Sequence, residues 1–250
     1  MARGISVRYD LRLRRRQTLR DALDDLFHGR RQQTVIWALR GVDVVLRPGE
    51  ALGVIGRNGA GKSTLMLVLA GILQPDEGWL EIRGRVSALL ALGAGFDPEL
   101  SGRENILLGL AFMGIDGRAA EALTPGIIEF ADLGAFIDAP ARTYSTGMRA
   151  RLGFAVATAV ESEILVIDEV LSTGDVAFRA KSRERIDELV AGARAAVIVT
   201  HDLQYVIDAC SRALWLDGGK VAAEGDPRAV VEAYRAATAA PLPAASPATA

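Results

Sequence analysis

A glycine-rich segment at residues 56–64, GRNGAGKST, restricts the possible folds of this chain more than any other part of it. The segment matches the phosphate-binding loop pattern G-x-x-x-x-G-K-[ST]. It lies between an apolar strand-like run at 51–55 and an apolar helix-like run at 63–70, which is the context that the pattern requires. Strand, loop and helix in this order predict an α/β fold. In such a loop the glycines let backbone N–H groups surround phosphate oxygens, and the helix N-terminus adds partial positive charge.

Two side chains of this loop carry the expected chemistry. Lys62 is expected to reach the β- and γ-phosphates of a nucleotide and to act in catalysis, and Ser63 is expected to ligate Mg²⁺. The alternative is a glycine-rich turn with a chance lysine, which the flanking strand and helix disfavour. The residues predicted to bind the nucleotide here are Gly56, Asn58, Gly59, Gly61, Lys62, Ser63 and Thr64.

A second candidate site follows a predicted buried strand. Residues 164–167 form a continuous apolar run, typical of a parallel strand covered on both faces, and Asp168 and Glu169 come directly after it. Open α/β sheets bind ligands at the carboxyl ends of their strands. We expect Asp168 to contact Mg²⁺ and Glu169 to polarise an attacking water. Two adjacent acids could instead form a solvated turn, but the phosphate loop favours the first interpretation.

Composition limits the remaining function classes. The chain has 250 residues, half of them hydrophobic, which suffices for one well-buried α/β domain. A net charge of -2 gives no indication of a nucleic-acid partner. The single cysteine, Cys210, excludes an internal disulfide framework. No stretch approaches the ~20 apolar residues that span a bilayer, so a membrane process would need another chain.

Apolar patterns predict the other elements. Residues 98–158 are mostly helical in pattern, and Pro125 and Pro140 are expected to break this region into pieces. The Ala/Pro/Ser-rich tail at 238–250 cannot bury enough surface to become ordered. Further strands are expected at 5–9, 37–46, 78–82, 86–90 and 196–199, a hairpin at 213–216 and 221–223, and helices at 177–191 and 227–237.

The segment YSTGMRAR, at 144–151, resembles the signature of ABC ATPases, usually written LSGGQ. Ser145 and Gly147 match that signature, whereas Tyr144, Thr146 and Met148 differ from it. A serine and a close backbone at a helix N-terminus form a second anion site. Because Lys62 and its loop already fill one anion site, the second would serve a nucleotide bound to another subunit. An ordinary capped helix is the alternative.

Two more elements fall in the order found in ABC proteins. The segment LSTGD, at 171–175, occupies the place of the D-loop, with Asp175 as its acid. His201 ends a predicted strand where ABC proteins have the switch histidine, and Asp202 follows it. A histidine after a strand is more often structural, but this position favours a catalytic role for His201.

From residue 37 to about residue 234, the chain resembles the ATP-binding subunits of ABC exporters for lipid-linked polysaccharides, which handle O-antigen, teichoic acid, capsule and mycobacterial galactan. Importers and drug exporters differ in the stretches that carry the resemblance. These are GRVSALLALGAGFDPELSGREN at 84–105, IIEFADLGAFIDAP at 127–140, TYSTGMRARLGFAVAT at 143–158 and IDEVLSTGD at 167–175.

The resemblance implies an α/β, ABC-type P-loop ATPase fold, with a mostly parallel core sheet, an antiparallel β subdomain and an inserted helical subdomain. The domain would cover 1–237, with its helical part at about 97–158. ATP and Mg²⁺ are the implied cofactors. Each ATP would lie between 56–64, Asp168, Glu169 and His201 of one copy and Ser145 to Gly147 of a second copy. The implied partners are that second copy, an integral-membrane permease and, through the permease, lipid-linked polysaccharide. The implied location is peripheral, at the cytoplasmic face of the cell membrane.

Three parts of the chain either have a role that only the family resemblance suggests or differ from the sequence usual in ABC ATPases. Tyr9 stands where ABC proteins stack an aromatic ring on adenine, although it could equally be a packed strand tyrosine. Most ABC ATPases carry a glutamine that touches Mg²⁺ and the permease, whereas residues 91–95 read ALGAG here, as in the polysaccharide exporters. The Arg-rich insert at 10–36 would lie near the membrane or pack on its own domain.

Other functions fit the sequence less well. The main alternative is another ABC exporter, for a drug or a simple lipid, which the stretch at 84–105 argues against. A permease-free ABC ATPase, acting in DNA repair or on ribosomes, would carry long coiled coils or two cassettes. A P-loop kinase or GTPase would need an acceptor site or a guanine-binding motif, and we find neither.

Overall fold

The computed structural model describes residues 1–11, 34–89, 95–168 and 175–239. Within these ranges, strands and helices alternate through most of the chain. In chain order the elements are β1 (Ala2–Leu11), β2 (Thr34–Val44), β3 (Glu50–Ile55), α1 (Lys62–Leu69), β4 (Glu77–Leu80), β5 (Val86–Leu89), α2 (Gly102–Phe112), α3 (Gly117–Ala131), α4 (Thr146–Ala157), β6 (Ile164–Asp168), α5 (Val176–Gly192), β7 (Ala195–Val199), α6 (Leu203–Ala209), β8 (Arg212–Asp217), β9 (Lys220–Gly225) and α7 (Pro227–Ala239).

The strands form two sheets. One is antiparallel, in the order β2-β1-β4, and the other has the order β5-β6-β7-β3-β8-β9. All pairs of the second sheet are parallel except β8 with β9, which form the hairpin predicted from the sequence. The mostly parallel core sheet and the antiparallel β part are therefore both present.

The six-stranded sheet is covered on both faces, which explains its continuous apolar strands. Successive residues of a strand point to opposite faces. On β7, Val197 and Val199 pack with α1 and the antiparallel sheet, while Ala196 and Ile198 pack with α5, α6 and α7. A strand that is buried on both sides has no polar face, so the alternating pattern of a half-exposed strand is absent.

The helices α2, α3 and α4 pack around a separate apolar cluster. Ser101 begins α2 with a capping box, in which its side chain and that of Glu104 each accept a backbone N–H of the other. An aromatic group connects this cluster to α5, since Phe130, Phe154 and Phe178 have ring centroids 5.8 Å apart pairwise. No helix of the described ranges is long and apolar enough to cross a bilayer.

Of the two prolines expected to break this region, one does not. Pro125 does not break a helix but lies inside α3, on its exposed side, where the carbonyl left without a partner can face water. Pro140, as expected, separates two short 3₁₀ segments, Gly134–Asp138 and Ala141–Thr143.

The helix α7 continues two residues into the segment 238–250, which was predicted to be a disordered tail. Thr238 and Ala239 belong to α7, and the Thr238 hydroxyl donates to the Tyr234 carbonyl at 2.8 Å. Residues 240–250 lie outside the described residues.

Candidate nucleotide-binding site

The glycine-rich loop connects β3 to α1 in a conformation that only glycine tolerates at two positions. Gly56 and Gly61 have φ angles of 152° and 101°. A Cβ atom at Gly56 would collide with the Leu216 carbonyl oxygen, and one at Gly61 would collide with that of Ala38. The loop is thus held closely between β2 and β8, and side chains larger than hydrogen would open it.

The N-terminus of α1 offers backbone donors to an anion. The first intrahelical hydrogen bond runs from the Leu65 N–H to the Gly61 carbonyl, at 2.9 Å. The N–H groups of the first turn, among them those of Ser63 and Thr64, precede that bond, and Gly61 at the N-cap has no side chain that could cap the helix. Donors left over at a helix N-terminus suit phosphate oxygens.

Lys62 is held back over the loop. Its side chain is largely buried, with 8% of the residue exposed. The ammonium donates to the carbonyls of Gly56, at 2.8 Å, and Arg57, at 3.1 Å. These contacts keep one positive charge at the loop instead of in solvent.

One edge of the six-stranded sheet, at the carboxyl ends of its strands, carries three predicted features: the loop at 56–64, Asp168 and His201. Val54 of β3 is opposite Val199 of β7, and Val199 is opposite Asp168 of β6. Because neighbouring strands lie about 4.8 Å apart, Asp168 is about 10 Å across the sheet from the strand that leads into the loop. His201, which is exposed, follows β7 between them. Glu169 lies outside the described residues.

The oxygen donors at this edge fit Mg²⁺. Mg²⁺ is usually held by one or two carboxylates or hydroxyls, with water and substrate phosphates completing its octahedron. Ser63 in the first turn of α1 and Asp168 at the end of β6 are donors of this kind. Within the described ranges, no group of three His, Cys, Asp or Glu residues could hold a metal by itself. A hydroxyl and a carboxylate suit an ion whose remaining ligands are phosphate oxygens and water.

The signature segment leads into α4, and its residues Ser145 to Gly147 are exposed. Ser145 is the N-cap, and its hydroxyl oxygen accepts the Met148 N–H at 3.2 Å. Among the described residues, a Cβ atom at Gly147 would have just the Ser145 hydroxyl within 4 Å, at 3.8 Å, so this part of the structure leaves the backbone there open to an approaching ligand. Tyr144 is buried and fixes the segment, because its hydroxyl donates to the Phe136 carbonyl at 2.6 Å.

Arg151 is a residue of this region that the sequence analysis did not single out. Its guanidinium donates to the Ala131 carbonyl at 2.9 Å and pairs with Asp132 at 3.1 Å. It also lies 3.8 Å from the Asp175 carboxylate and 5.2 Å from the Phe178 ring centroid. Arg151 thereby joins the signature helix to the start of α5. Its position just before the apolar run that starts at Leu152 carried no signal that would identify these partners.

The remaining predicted residues lie apart from the loop or are only partly described. Asp175 caps α5 by accepting the Phe178 N–H at 2.9 Å. Tyr9 is 42% exposed on β1 and lies opposite Ile36, two residues before the Ala38 carbonyl that touches the loop. Its ring is therefore on the strand pair beside the loop. Most of the segment without the glutamine, 91–94, and most of the D-loop, 171–174, lie outside the described residues.

Sequence comparison decides which family has this arrangement. The sequence profile of the ABC transporter family matches residues 39–172, which is more than half of the chain. The chain belongs to the ABC transporter family. This ABC protein also has the predicted fold, as similar solved structures show. A dimeric, post-hydrolysis ATP-binding cassette bound to ADP and phosphate is 19% identical, with a TM-score of 0.68 over 91% of this chain and 99% of its own. An ATP-binding subunit of an ABC transporter is 22% identical, with a TM-score of 0.70 over 98% of this chain and 94% of its own.

Curated relatives of this ABC protein carry the names that the sequence resemblance indicated. An O-antigen export system ATP-binding protein of Myxococcus xanthus is 46% identical over 223 residues, 88% of this chain and 51% of the relative. A protein of the same name from Klebsiella pneumoniae is 40% identical over 86% of this chain and 90% of its own length. A teichoic acids export ATP-binding protein of Bacillus cereus is 41% identical over 86% of this chain and 39% of its own. The chain thus spans about half the length of the Myxococcus xanthus relative and less of the Bacillus cereus protein, but nearly all of the Klebsiella pneumoniae one.

Proposed function

We propose that this ABC protein is the ATP-hydrolysing subunit of a transporter that exports lipid-linked polysaccharide across the cytoplasmic membrane. The hydrolysis rests on the meeting of the loop at 56–64, Asp168 and His201 at one edge of the core sheet. The cargo rests on the O-antigen and teichoic acid export names of relatives at 40–46% identity. We assign the domain to residues 1–239, with a helical part at about 97–158.

The chemistry consists mainly of positioning and charge stabilisation. Lys62 and the N–H groups of α1 would hold the β- and γ-phosphates. Glu169 would polarise the attacking water, and His201 would contact the γ-phosphate. Mg²⁺, held by Ser63 and Asp168, would neutralise charge on the phosphate oxygens.

The signature segment would complete the site of a second copy. A serine hydroxyl has one proton to donate and two lone pairs. Because Ser145 uses a lone pair to accept the Met148 N–H, its proton remains available for a phosphate oxygen. The N-terminus of α4 adds partial positive charge beside it. ATP would therefore close a head-to-tail dimer, and hydrolysis would let it open.

The permease would dock on the helical part. The side chains of Leu107, Phe112 and Met113 are 38%, 73% and 37% exposed, although all three are large and apolar. Phe112 lies next to Gly95, where a Cβ atom would be 3.5 Å from its ring. Gly95 is the last residue of the segment 91–95, where most ABC ATPases carry the glutamine that touches their permease. Such a subunit would lie peripherally at the cytoplasmic face of the membrane.

Steady-state ATP hydrolysis tests this function directly. The chain is assayed alone and with its candidate permease in lipid vesicles, with and without a lipid-linked glycan, and Lys62→Ala supplies the background rate. We expect hydrolysis that requires Lys62 and that rises when the permease and the glycan are both present. Hydrolysis that is indifferent to every permease and glycan would leave an ABC ATPase without the transport function. Absence of Lys62-dependent hydrolysis in all conditions would contradict the enzymatic function itself.

A further inference from the structure

The loop that carries His201 is anchored to α5. The contacts that anchor it, among Asp202, Arg183, Tyr205 and Asp187, are called the clamp here. Asp202 accepts the Tyr205 N–H at 3.0 Å with one carboxylate oxygen, and the other lies 3.3 Å from the Arg183 guanidinium. Arg183 also stacks on the Tyr205 ring, 4.0 Å from its centroid. The Tyr205 hydroxyl then donates back to α5, to the Asp187 carboxylate, at 2.7 Å. Arg183 and Asp187 are four residues apart and share one face of α5.

The clamp fixes the backbone on both sides of the histidine. Before it, the Thr200 hydroxyl accepts the Asp202 N–H at 3.0 Å, so Thr200 and Asp202 bracket His201 in a tight turn. After it, Asp202 caps α6 and contacts Arg183. The chain around His201 is therefore tied to α5 as well as to its own strand and helix.

The protonation states of the side chains in the clamp favour its hydrogen bonds and its ion pair. Hydrogen bonding by the Tyr205 N–H, together with the Arg183 guanidinium, lowers the pKa of Asp202, which stays charged at neutral pH. Burial, reinforced by the Asp187 carboxylate, raises the pKa of the Tyr205 hydroxyl, so that it remains a donor. Arg183 is always protonated.

α5 has a second role at its other end. Asp175 caps its N-terminus and lies beside Arg151 of the signature helix. Arg183 is eight residues further along, which is about 12 Å on the helix axis. One rigid helix thus touches both the element that would face the partner's nucleotide and the loop that would face the chain's own nucleotide.

We propose that Arg183 and Tyr205 are positioning residues, which hold His201 in its hydrolytic position by anchoring its loop to α5. This inference rests on the proposed ATP hydrolysis and assigns to it two residues that contact the His201 loop and α5. Displacement of a catalytic group by 1 Å can reduce a rate by about 100-fold. Loss of the clamp therefore reduces turnover while the loop at 56–64 still binds ATP.

Four variants distinguish positioning from mere structural support. Arg183→Met removes both the ion pair and the cationic stack, while Tyr205→Phe removes only the hydroxyl that contacts Asp187. His201→Ala removes the group that the clamp would position, and Arg183→Met is also combined with it. Arg235→Met is the matched control, because Arg235 is exposed on α7 and its substitution causes the same change in charge.

The readout is the single-turnover rate of hydrolysis, which remains measurable for slow variants, together with the Kd for ATP and the melting temperature. We expect Arg183→Met to reduce the rate about tenfold and to leave the Kd within about twofold, with a smaller loss for Tyr205→Phe and none for Arg235→Met. In the His201→Ala background, Arg183→Met is expected to cause no further loss of rate, because Arg183 is proposed to affect hydrolysis by positioning His201.

Several results would overturn the inference while leaving the ATPase function intact. These are a wild-type rate in Arg183→Met, an equal loss from Arg183→Met with and without His201, and a His201→Ala variant that turns over normally. A loss of ATP binding that parallels the loss of rate would also contradict positioning, since it indicates general damage. If the wild-type chain itself does not hydrolyse ATP, the proposed function fails before the clamp is tested.

Discussion

Cys210 shows how burial changes the chemistry of one residue. It is the only cysteine of the sequence, and it is 8% exposed where α6 ends beside Gly53 of β3. Burial raises the pKa of its thiol from 9.0 to about 12. Only the thiolate reacts readily with alkylating agents.

We therefore predict that iodoacetamide at pH 8 labels Cys210 at least about 100-fold more slowly in the folded chain than in guanidinium chloride. Glutathione in both solvents corrects for the solvent effect. Because the folded thiol keeps its proton while the unfolded one loses it, the stability should also decrease as the pH rises from 9.0 towards 12. Equal labelling rates in the two states would show that β3 and α6 do not exclude solvent from this site.

Residues differ in how far their role can be predicted from sequence. Lys62 and Ser63 were predictable in position, at the start of α1, because the phosphate loop is a local pattern in which spacing alone determines geometry, and their roles toward a nucleotide stay predictions. Arg151 and Arg183 were not, because their partners are distant in sequence or lie on another element. Asp202 was noted only as the neighbour of His201, and its contact with α5 depends on how two helices pack.

At the level of elements, α2 and α4 offer a comparison between two serine caps. The Ser101 hydroxyl accepts the Glu104 N–H at 3.2 Å, and the Ser145 hydroxyl accepts the Met148 N–H at the same distance. Both serines begin helices of the helical part. Only Ser145 is predicted to touch a nucleotide.

We predict that Ser101→Ala and Ser145→Ala each lower the free energy of unfolding by about 1 kcal/mol, the usual value of an N-cap. Only Ser145→Ala should also lower the rate of ATP hydrolysis, since it removes the donor to the partner's phosphate. Urea unfolding and steady-state hydrolysis measure the two effects separately. An equal decrease in hydrolysis for both variants would assign Ser145 to helix capping alone.

Elements whose apolar period is clear were predicted well, whereas their ends were not. The core strands β6 and β7 appear where continuous apolar runs indicated them. Pro125 misled the analysis because a proline was taken as a helix break, whereas its exposed position in α3 lets water satisfy the carbonyl that it leaves without a partner. The side of a helix that faces solvent is a property of packing and is not fixed by the proline itself.

At the level of the whole molecule, the phosphate loop and the signature segment lie on different helices. Each would need the other segment from a second copy to complete a nucleotide site. The phosphate loop leads into α1, and the open backbone at Gly147 begins a different helix, α4. The fold was predictable from the order of these motifs. How far two copies approach each other depends on their surfaces, which no local pattern encodes.

The dimer can be tested with a variant that binds ATP but does not hydrolyse it. We predict that Glu169→Gln retains ATP binding, loses nearly all turnover and doubles in mass when MgATP is added, as measured by light scattering after gel filtration. Combined with Lys62→Ala, which weakens phosphate binding, it should remain monomeric. Combined with Ser145→Arg, it should bind ATP as a monomer with unchanged Kd and fail to dimerise, because the added side chain blocks the partner's phosphate. If Ser145→Arg instead weakens ATP binding by the monomer, Ser145 serves the nucleotide of its own chain and the head-to-tail arrangement is wrong.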